Sequence, residues 1–304
     1  MNADIVINGV SKKFNEIVAV KNVSLEVEKG ELFGLIGPDG AGKTTLFRLM
    51  CTLYLPDEGT ISIGGADTAK DYDKIRSSVG YMPGRFSLYQ DLTVEENLSF
   101  FAAIFGTQIK ENYAYIESVF EKLAPFKKRK AGALSGGMKQ KLALCCALIH
   151  KPSVLFLDEP TTGVDPVSRY EFWQMLSELR KEKITMIAST PYMDEAKMCD
   201  RIALMEKGEI MSISTPQQIN DNFHGKLWSV QGENIYSLLL DIREFRETDS
   251  CFSFGNCLHV SFKNSDEDVV NALRVYLNDI GHNAVEINEI EPSVEDCYIN
   301  QVEK

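Results

Sequence analysis

No apolar run in this chain approaches the roughly 20 residues that a bilayer-spanning helix requires. The run "LALCCALI", Leu142 to Ile149, stops after eight residues. Any membrane role therefore passes through a partner that does the spanning. The opening "MNADIVINGV" has neither a basic region nor a long apolar core, so it does not read as a signal peptide. Positive charge is scarce, with 32 Lys and Arg against 44 Asp and Glu, a formal charge of −12. A nucleic-acid reader normally carries a basic face to neutralise phosphates, and the balance here argues against that class. The single basic run, Lys127 to Lys130, reads as a solvated helix end or loop. The seven cysteines form no C-x-x-C pair at zinc spacing, which removes a zinc site and points to a reducing cytoplasm. Cys145 and Cys146 sit inside the apolar run and read as small buried hydrophobes. Repeats and low-complexity tracts are absent too, and 304 residues suit one large domain plus a small one.

What is present is an α/β pattern. "DIVINGVSKKF" and "VAVKNVSLEVEKG" alternate as strands, with Gly30 at a turn. The apolar run "LFGLI" enters a glycine-rich loop that leaves as a helix through Leu46, Leu49 and Met50. A middle section from about Tyr72 to Lys130 carries helical patterns, and Thr93 with Glu96 fits a capping box. Strand-like "SVLFLDEP", helical "DPVSRYEFWQMLSELRKE" and strand-like "ITMIAST" form a β-α-β unit, which implies a parallel sheet covered by helices. A hairpin follows around Lys207 and Gly208. The style changes near residues 220 to 225, giving expected domains of 1–222 and 223–304. The second reads as strand, helix, two strands, helix, strand ("NAVEINEI"), then a last helix from Ser293, a small βαββαβ-like accessory domain.

Three stretches carry chemistry. "GPDGAGKTT" spans Gly37, Pro38, Asp39, Gly40, Ala41, Gly42, Lys43, Thr44 and Thr45, and fits the P-loop pattern with a strand before it and a helix after it. The pattern predicts that its amides wrap a phosphate chain, that Lys43 bridges the terminal phosphates and that the Thr44 hydroxyl holds Mg²⁺. "VLFLDEP" places Asp158 beside that metal and offers Glu159 as the base for an attacking water. "LSGGMKQ" is a helix start behind Ser135, Gly136 and Gly137, a second potential anion site.

Together these motifs resemble the ATP-binding cassette (ABC) transporter ATPases over about residues 4 to 220. The spelling is most similar to ATPases of bacterial ABC-2 type multidrug or antibiotic exporters, and to the first half of those with two tandem cassettes. The resemblance implies a P-loop NTPase with a RecA-like parallel sheet, an antiparallel β subdomain and a helical subdomain, followed by a small α+β domain. It implies ATP and Mg²⁺ as cofactors, a separate membrane permease as partner, a second cassette paired head to tail, and a peripheral place on the cytoplasmic face of the membrane. By the same resemblance Phe14 stacks on adenine, and Val20 and Gln140 join the nucleotide site. Ser135, Gly136 and Gly137 close over the partner's ATP, and Asp165 links the two sites. "SLYQDLTVEENL" is similar to the segment that meets the permease.

Two positions depart from the family pattern. Gly84 stands where a glutamine is expected to help hold Mg²⁺ and water, and Pro191 stands at the switch histidine. Proline lacks a side-chain donor and a backbone N–H, and its expected place is the first turn of a helix starting after Thr190. None of the four histidines, 150, 224, 259 and 282, falls at that motif. The expectation is an intact ATP site with slow hydrolysis, a heterodimer being favoured. The alternative is a module that closes on ATP and hardly turns it over.

Overall fold

The chain enters through two antiparallel strands, β1 (Ala3–Phe14) and β2 (Ile17–Glu28), in a computed structural model that describes residues 3–223, 225–264, 267–282 and 284–302. β3 (Leu32–Ile36) then runs into the glycine-rich loop and α1 (Lys43–Met50), followed by β4 (Glu58–Ile63), β5 (Ala66–Asp67), α2 (Tyr72–Ser78) and β6 (Val79–Met82). The first sheet has the order β2-β1-β4-β5 and is antiparallel throughout. Its inward residues, among them Ile5, Ile7, Leu25, Val27 and Ile61, are buried in one core with Leu46 and Phe47 of α1. Pairing slips where Lys12 faces Val20 while Lys13 faces Val18. β2 therefore carries an extra residue there, Ala19, and a bulge of this kind turns the strand locally.

A helical section comes next: α3 (Val94–Ile104), α4 (Ile109–Phe120) and α5 (Gly136–Leu148). Thr93 and Glu96 close the expected capping box on α3, and α5 packs against both other helices. β7 (Val154–Asp158), α6 (Pro166–Leu179), β8 (Thr185–Thr190), β9 (Arg201–Glu206) and β10 (Glu209–Ser214) complete the second sheet, ordered β10-β9-β3-β8-β7-β6. All neighbours in it are parallel except β10 against β9. Every residue of β3, β7 and β8 is buried because both faces of the sheet are covered, and the strands are apolar apart from Asp158 at the end of β7 and Thr185, Ser189 and Thr190 at the ends of β8. Their carboxyl ends share one edge, with Ile36 beside Thr190 and Asp158 beside Ser189, the edge where open parallel sheets place their ligands.

The chain divides into two compact units, Met1–Pro216 and Gln217–Lys304. Most of α7 (Pro216–Asp221) thereby falls in the second unit, where the Cys297 thiol donates to Ile219 O at 3.3 Å. The rest of that unit is β11 (Leu227–Gln231), α8 (Ile235–Glu244), β12 (Thr248–Phe254), β13 (Cys257–Phe262), α9 (Glu267–Asp279), β14 (Glu286–Ile290) and α10 (Val294–Val302). Its antiparallel sheet has the order β12-β13-β11-β14 over a core that includes Val230, Leu238, Val260 and Leu273. Asn283, the first residue of the expected strand "NAVEINEI", and Ser265 and Asp266 of the expected preceding helix lie outside the described residues. The fold is α/β, a P-loop NTPase core with an antiparallel subdomain, a helical section and a small α+β unit.

Candidate functional site

The loop after β3 lies flat against its neighbours, and glycine makes that possible. The Gly37 amide donates to Thr190 O at 3.3 Å, and a Cβ on Gly37 would stand 2.1 Å from Met205 O. Gly42 has φ +105°, and a Cβ there would meet Ala19 O at 2.3 Å. As the N-cap of α1, Gly42 offers no side-chain acceptor, and the first turn holds no acid. The amides of Lys43, Thr44 and Thr45 have no partner within the helix by its geometry. Thr93, Ser135 and Asp165, by contrast, cap α3, α5 and α6 with their own side chains. Lys43 is only 3% exposed; its ammonium donates to Gly37 O at 2.8 Å and Pro38 O at 2.9 Å and stands 3.3 Å from Glu159 Oε1. Asp39 and Gly40 face solvent, while Ala41 is buried.

Asp158 closes β7 with 2% of its surface exposed. Its Oδ1 accepts from Ser189 Oγ at 2.8 Å and from Thr44 Oγ1 at 3.1 Å. Burial raises the Asp158 pKa; the two hydroxyl donors and the Lys43 ammonium counter part of that rise, and the Glu159 charge adds to it. Glu159 adopts φ +49°, a left-handed conformation uncommon for a non-glycine residue. Its amide donates to Ser189 Oγ at 2.9 Å and its Oε2 accepts from Thr162 Oγ1 at 3.3 Å. A hydroxyl and a carboxylate converging at a sheet edge form a hard-oxygen donor set of the kind Mg²⁺ takes.

An open cleft runs over the loop, walled by Ile17, Val18 and Ala19 on one side and reaching Lys207. Val20 is not part of that wall: it is fully buried in the core, because the bulge at Ala19 sends Val18 and Val20 to different surroundings. Phe14 is 39% exposed and meets Tyr54 edge-on at 5.3 Å between centroids. Ser135 caps α5 by accepting from the Met138 amide at 3.4 Å. Ser135 and Gly136 are exposed, Gln140 is half-buried, and Gly137 is packed so that a Cβ would stand 2.8 Å from Ser168. Asp165 accepts from the Ser168 amide at 3.0 Å, the bond that chiefly holds its carboxyl below the ordinary range. None of Ser135, Gly136, Gly137, Gln140 or Asp165 lines the cleft over the P-loop.

Gly84 abuts the acidic strand end, with Asp158 O and Glu159 Cβ being 3.0 and 3.6 Å from a Cβ built on it. Pro191 does not open a helix. Thr190 Oγ1 takes the Tyr192 amide at 3.0 Å, Tyr192 stays extended, and only a 3₁₀ segment, Met193–Met198, follows. His150 bonds to Val79 O, His259 and His282 lie in the second unit, and His224 is outside the described residues. One cluster has no counterpart in the motif analysis. Glu195, buried, accepts from Thr161 Oγ1 at 2.9 Å, from Arg169 Nε at 3.0 Å and from Thr190 Oγ1. It ties the loop after Glu159 to α6 and to the Pro191 segment. Only the coincidence of an acid and helical spacing in "YMDEA" hints at it in the sequence.

Residues 20–162 match the family described as ABC transporter. The probable multidrug ABC transporter ATP-binding protein YbhF of Escherichia coli (strain K12) is 37% identical over 98% of this chain and 52% of its own length. The chain thus spans about half the length of that relative. The Nod factor export ATP-binding protein I of Burkholderia lata is 39% identical over 71% of this chain and 72% of its own. Among solved structures, the dimeric structure of MJ0796, a bacterial ABC transporter cassette, superposes with a TM-score of 0.63 at 26% identity, covering 69% of this chain and 98% of that one. With the P-loop, the acidic strand end and the capped "LSGGMKQ" helix in this arrangement, the chain belongs to the ABC transporter family, among its ATP-binding proteins.

Proposed function

We infer that the chain is the nucleotide-binding subunit of an ABC exporter: it binds Mg-ATP, pairs with a second cassette and drives a separate membrane permease, with slow hydrolysis of its own. The observation that carries this reading is the bond between Thr44 Oγ1 and Asp158 Oδ1 under an α1 terminus left uncapped. Anionic phosphates satisfy the orphan amides of Lys43, Thr44 and Thr45, and the helix dipole favours them further. Thr44 and Asp158 hold Mg²⁺, which supplies charge neutralisation at the terminal phosphates. Lys43 now spends its ammonium on loop carbonyls and Glu159; phosphate oxygens compete for it, and its departure from Glu159 leaves that carboxylate able to take a proton from water.

Slow turnover follows from the two departures. Gly84 presents no side chain toward Asp158 and Glu159, and Pro191 presents no donor at the end of β8. Ser135 and Gly136 stand exposed on the α5 terminus, away from this chain's own cleft, which suits closing a site on another cassette. MJ0796, a cassette of similar fold, is described as dimeric. The multidrug and Nod-factor names of the relatives favour export, and among the described residues no helix is long and apolar enough to cross a membrane. The permease therefore supplies the spans, with residues 87–98 as the docking segment. A second reading, a module that closes on ATP with almost no turnover, draws on the same bare positions, Gly84 and Pro191.

Calorimetric titration with Mg-ATP tests the core of the proposal. Wild type is expected to bind, Lys43→Ala to lose binding by at least about a hundredfold, and Asp158→Asn to lose the dependence on Mg²⁺. No heat from folded wild type overturns it.

A further inference from the structure

The cleft over the P-loop is walled by two cations, Lys43 and Lys207, and the motifs account for the first alone. We propose that Lys207, on the β9–β10 turn, is a nucleotide-binding residue that contacts the polyphosphate of a nucleoside di- or triphosphate at its ribose-proximal end. This rests on the reading of the cleft as an ATP site. The turn is fixed to the site on both flanks. The Gly208 amide donates to Ala41 O, inside the P-loop, at 2.9 Å, and Gly208 O accepts from the Lys21 amide of β2 at 2.8 Å. Lys207 and Gly208 have φ of +47° and +85°, the left-handed pair of a tight hairpin. A Cβ on Gly208 would stand 3.1 Å from Ala19 O, so the turn is pressed against the bulged residue that walls the cleft. The backbone of Lys207 is thereby held beside the loop, while its side chain is 84% exposed.

Charge gives this placement a purpose. The chain carries −12 overall, and Asp158 and Glu159 add local negative charge where a polyphosphate must sit. Lys43 is buried against Glu159 and two carbonyls, so it answers only the inner end of the ligand. The Lys207 ammonium stands 3.9 Å from Glu206 Oε1, the long limit of an ion pair. Its turn packs on the Ala19 side of the cleft rather than on the Asp158 side. An ammonium there meets the α-phosphate, which ADP and ATP both carry, and is out of place for the γ-phosphate of ATP.

The test is calorimetric titration of the full chain with Mg-ATP and Mg-ADP. Lys207→Asn is the informative variant, because asparagine accepts the left-handed backbone and removes the charge. The expected result is a loss of about three- to fivefold for ADP and ATP alike, steeper at low salt, with an unchanged melting temperature. Lys207→Arg is expected to stay within about twofold of wild type. Equal affinities for Lys207→Asn and wild type overturn the proposal, as does a loss for ATP with none for ADP. Absence of binding by wild type overturns the ATP-site reading itself, a different outcome from wild type binding and Lys207→Asn matching it.

Discussion

Gly84 stands against Asp158 so closely that a Cβ built on the glycine would lie 3.0 Å from the aspartate's carbonyl oxygen. A side chain at 84 therefore starts its path at the acidic end of β7, and the glycine leaves that approach bare. The contact is tight but calls for a shift of only a few tenths of an ångström. Gly84→Gln combined with Pro191→His is expected to raise single-turnover ATP hydrolysis by about two orders of magnitude, with Mg-ATP affinity little changed. A native chain that already turns over rapidly, with the double variant no faster, defeats the slow-site proposal.

Val20 and Val18 test the bulge. Val20→Ala removes two buried methyl groups from a closed core and is expected to cost about 2 kcal/mol of stability, leaving nucleotide affinity within about twofold. Val18, 45% exposed on the cleft wall, should behave the opposite way, with near-wild-type stability and weaker binding in Val18→Ala. Chemical denaturation alongside titration separates the two.

His150 gives the core of the first unit an acid weakness. Its Nε2 bonds Val79 O at 3.0 Å, its ring stacks on Phe105 at 3.7 Å, and burial holds its pKa below the ordinary value of 6.5. A depressed folded-state value means that the unfolded chain takes up the proton first. The stabilising share of neutral His150 is thus complete above about pH 6.5 and drains away as pH falls toward the folded value. Melting temperatures recorded across that window should drop in wild type, while His150→Gln, less stable at neutral pH, should lose less over the same interval. Parallel pH profiles would show that the imidazole is not responsible.

Glu195 and Arg169 form a largely buried ion pair at 3.0 Å, with side chains 4% and 17% exposed. Removing Arg169 leaves the buried Glu195 carboxylate with hydroxyl donors alone, at an expected cost of about 3 kcal/mol, whereas removing Glu195 leaves Arg169 its bond to Asp194 at 3.1 Å and should cost less. In a double-mutant cycle with Glu195→Ala and Arg169→Ala, the two losses should fall well short of adding. Additive losses would mean that each side chain acts independently.

The parts legible in the sequence are those whose chemistry is local. Gly37 to Thr45 announces itself because backbone wrapping, the ammonium and the hydroxyl come from one strand-loop-helix unit, and Asp158 because an apolar run ends in acid. Thr93 and Glu96 form their capping box for the same reason. The Glu195 knot was hidden because its donors, Thr161 and Arg169, lie 34 and 26 residues away, and only the adjacency of β7 and β8 brings them together. That Val20 is buried in the core while Val18 lines the cleft follows from a single inserted residue, and strand alternation carries no mark of that bulge at Ala19. The sequence places Pro191 in the first turn of a helix; in the structure the Thr190 hydroxyl accepts from the Tyr192 amide and only a 3₁₀ segment follows.

The amide of Gly37 and the hydroxyl of Thr190 belong to one short linkage, since Thr190 gives its carbonyl to the glycine and its side chain to Glu195. Arg169 of α6 is thereby joined, through Glu195 and Thr190, to the root of the P-loop by a run of hydrogen bonds. The setting of the amide that opens the glycine-rich loop is in this way built into the same hydrogen-bonded unit as the first turns of α6.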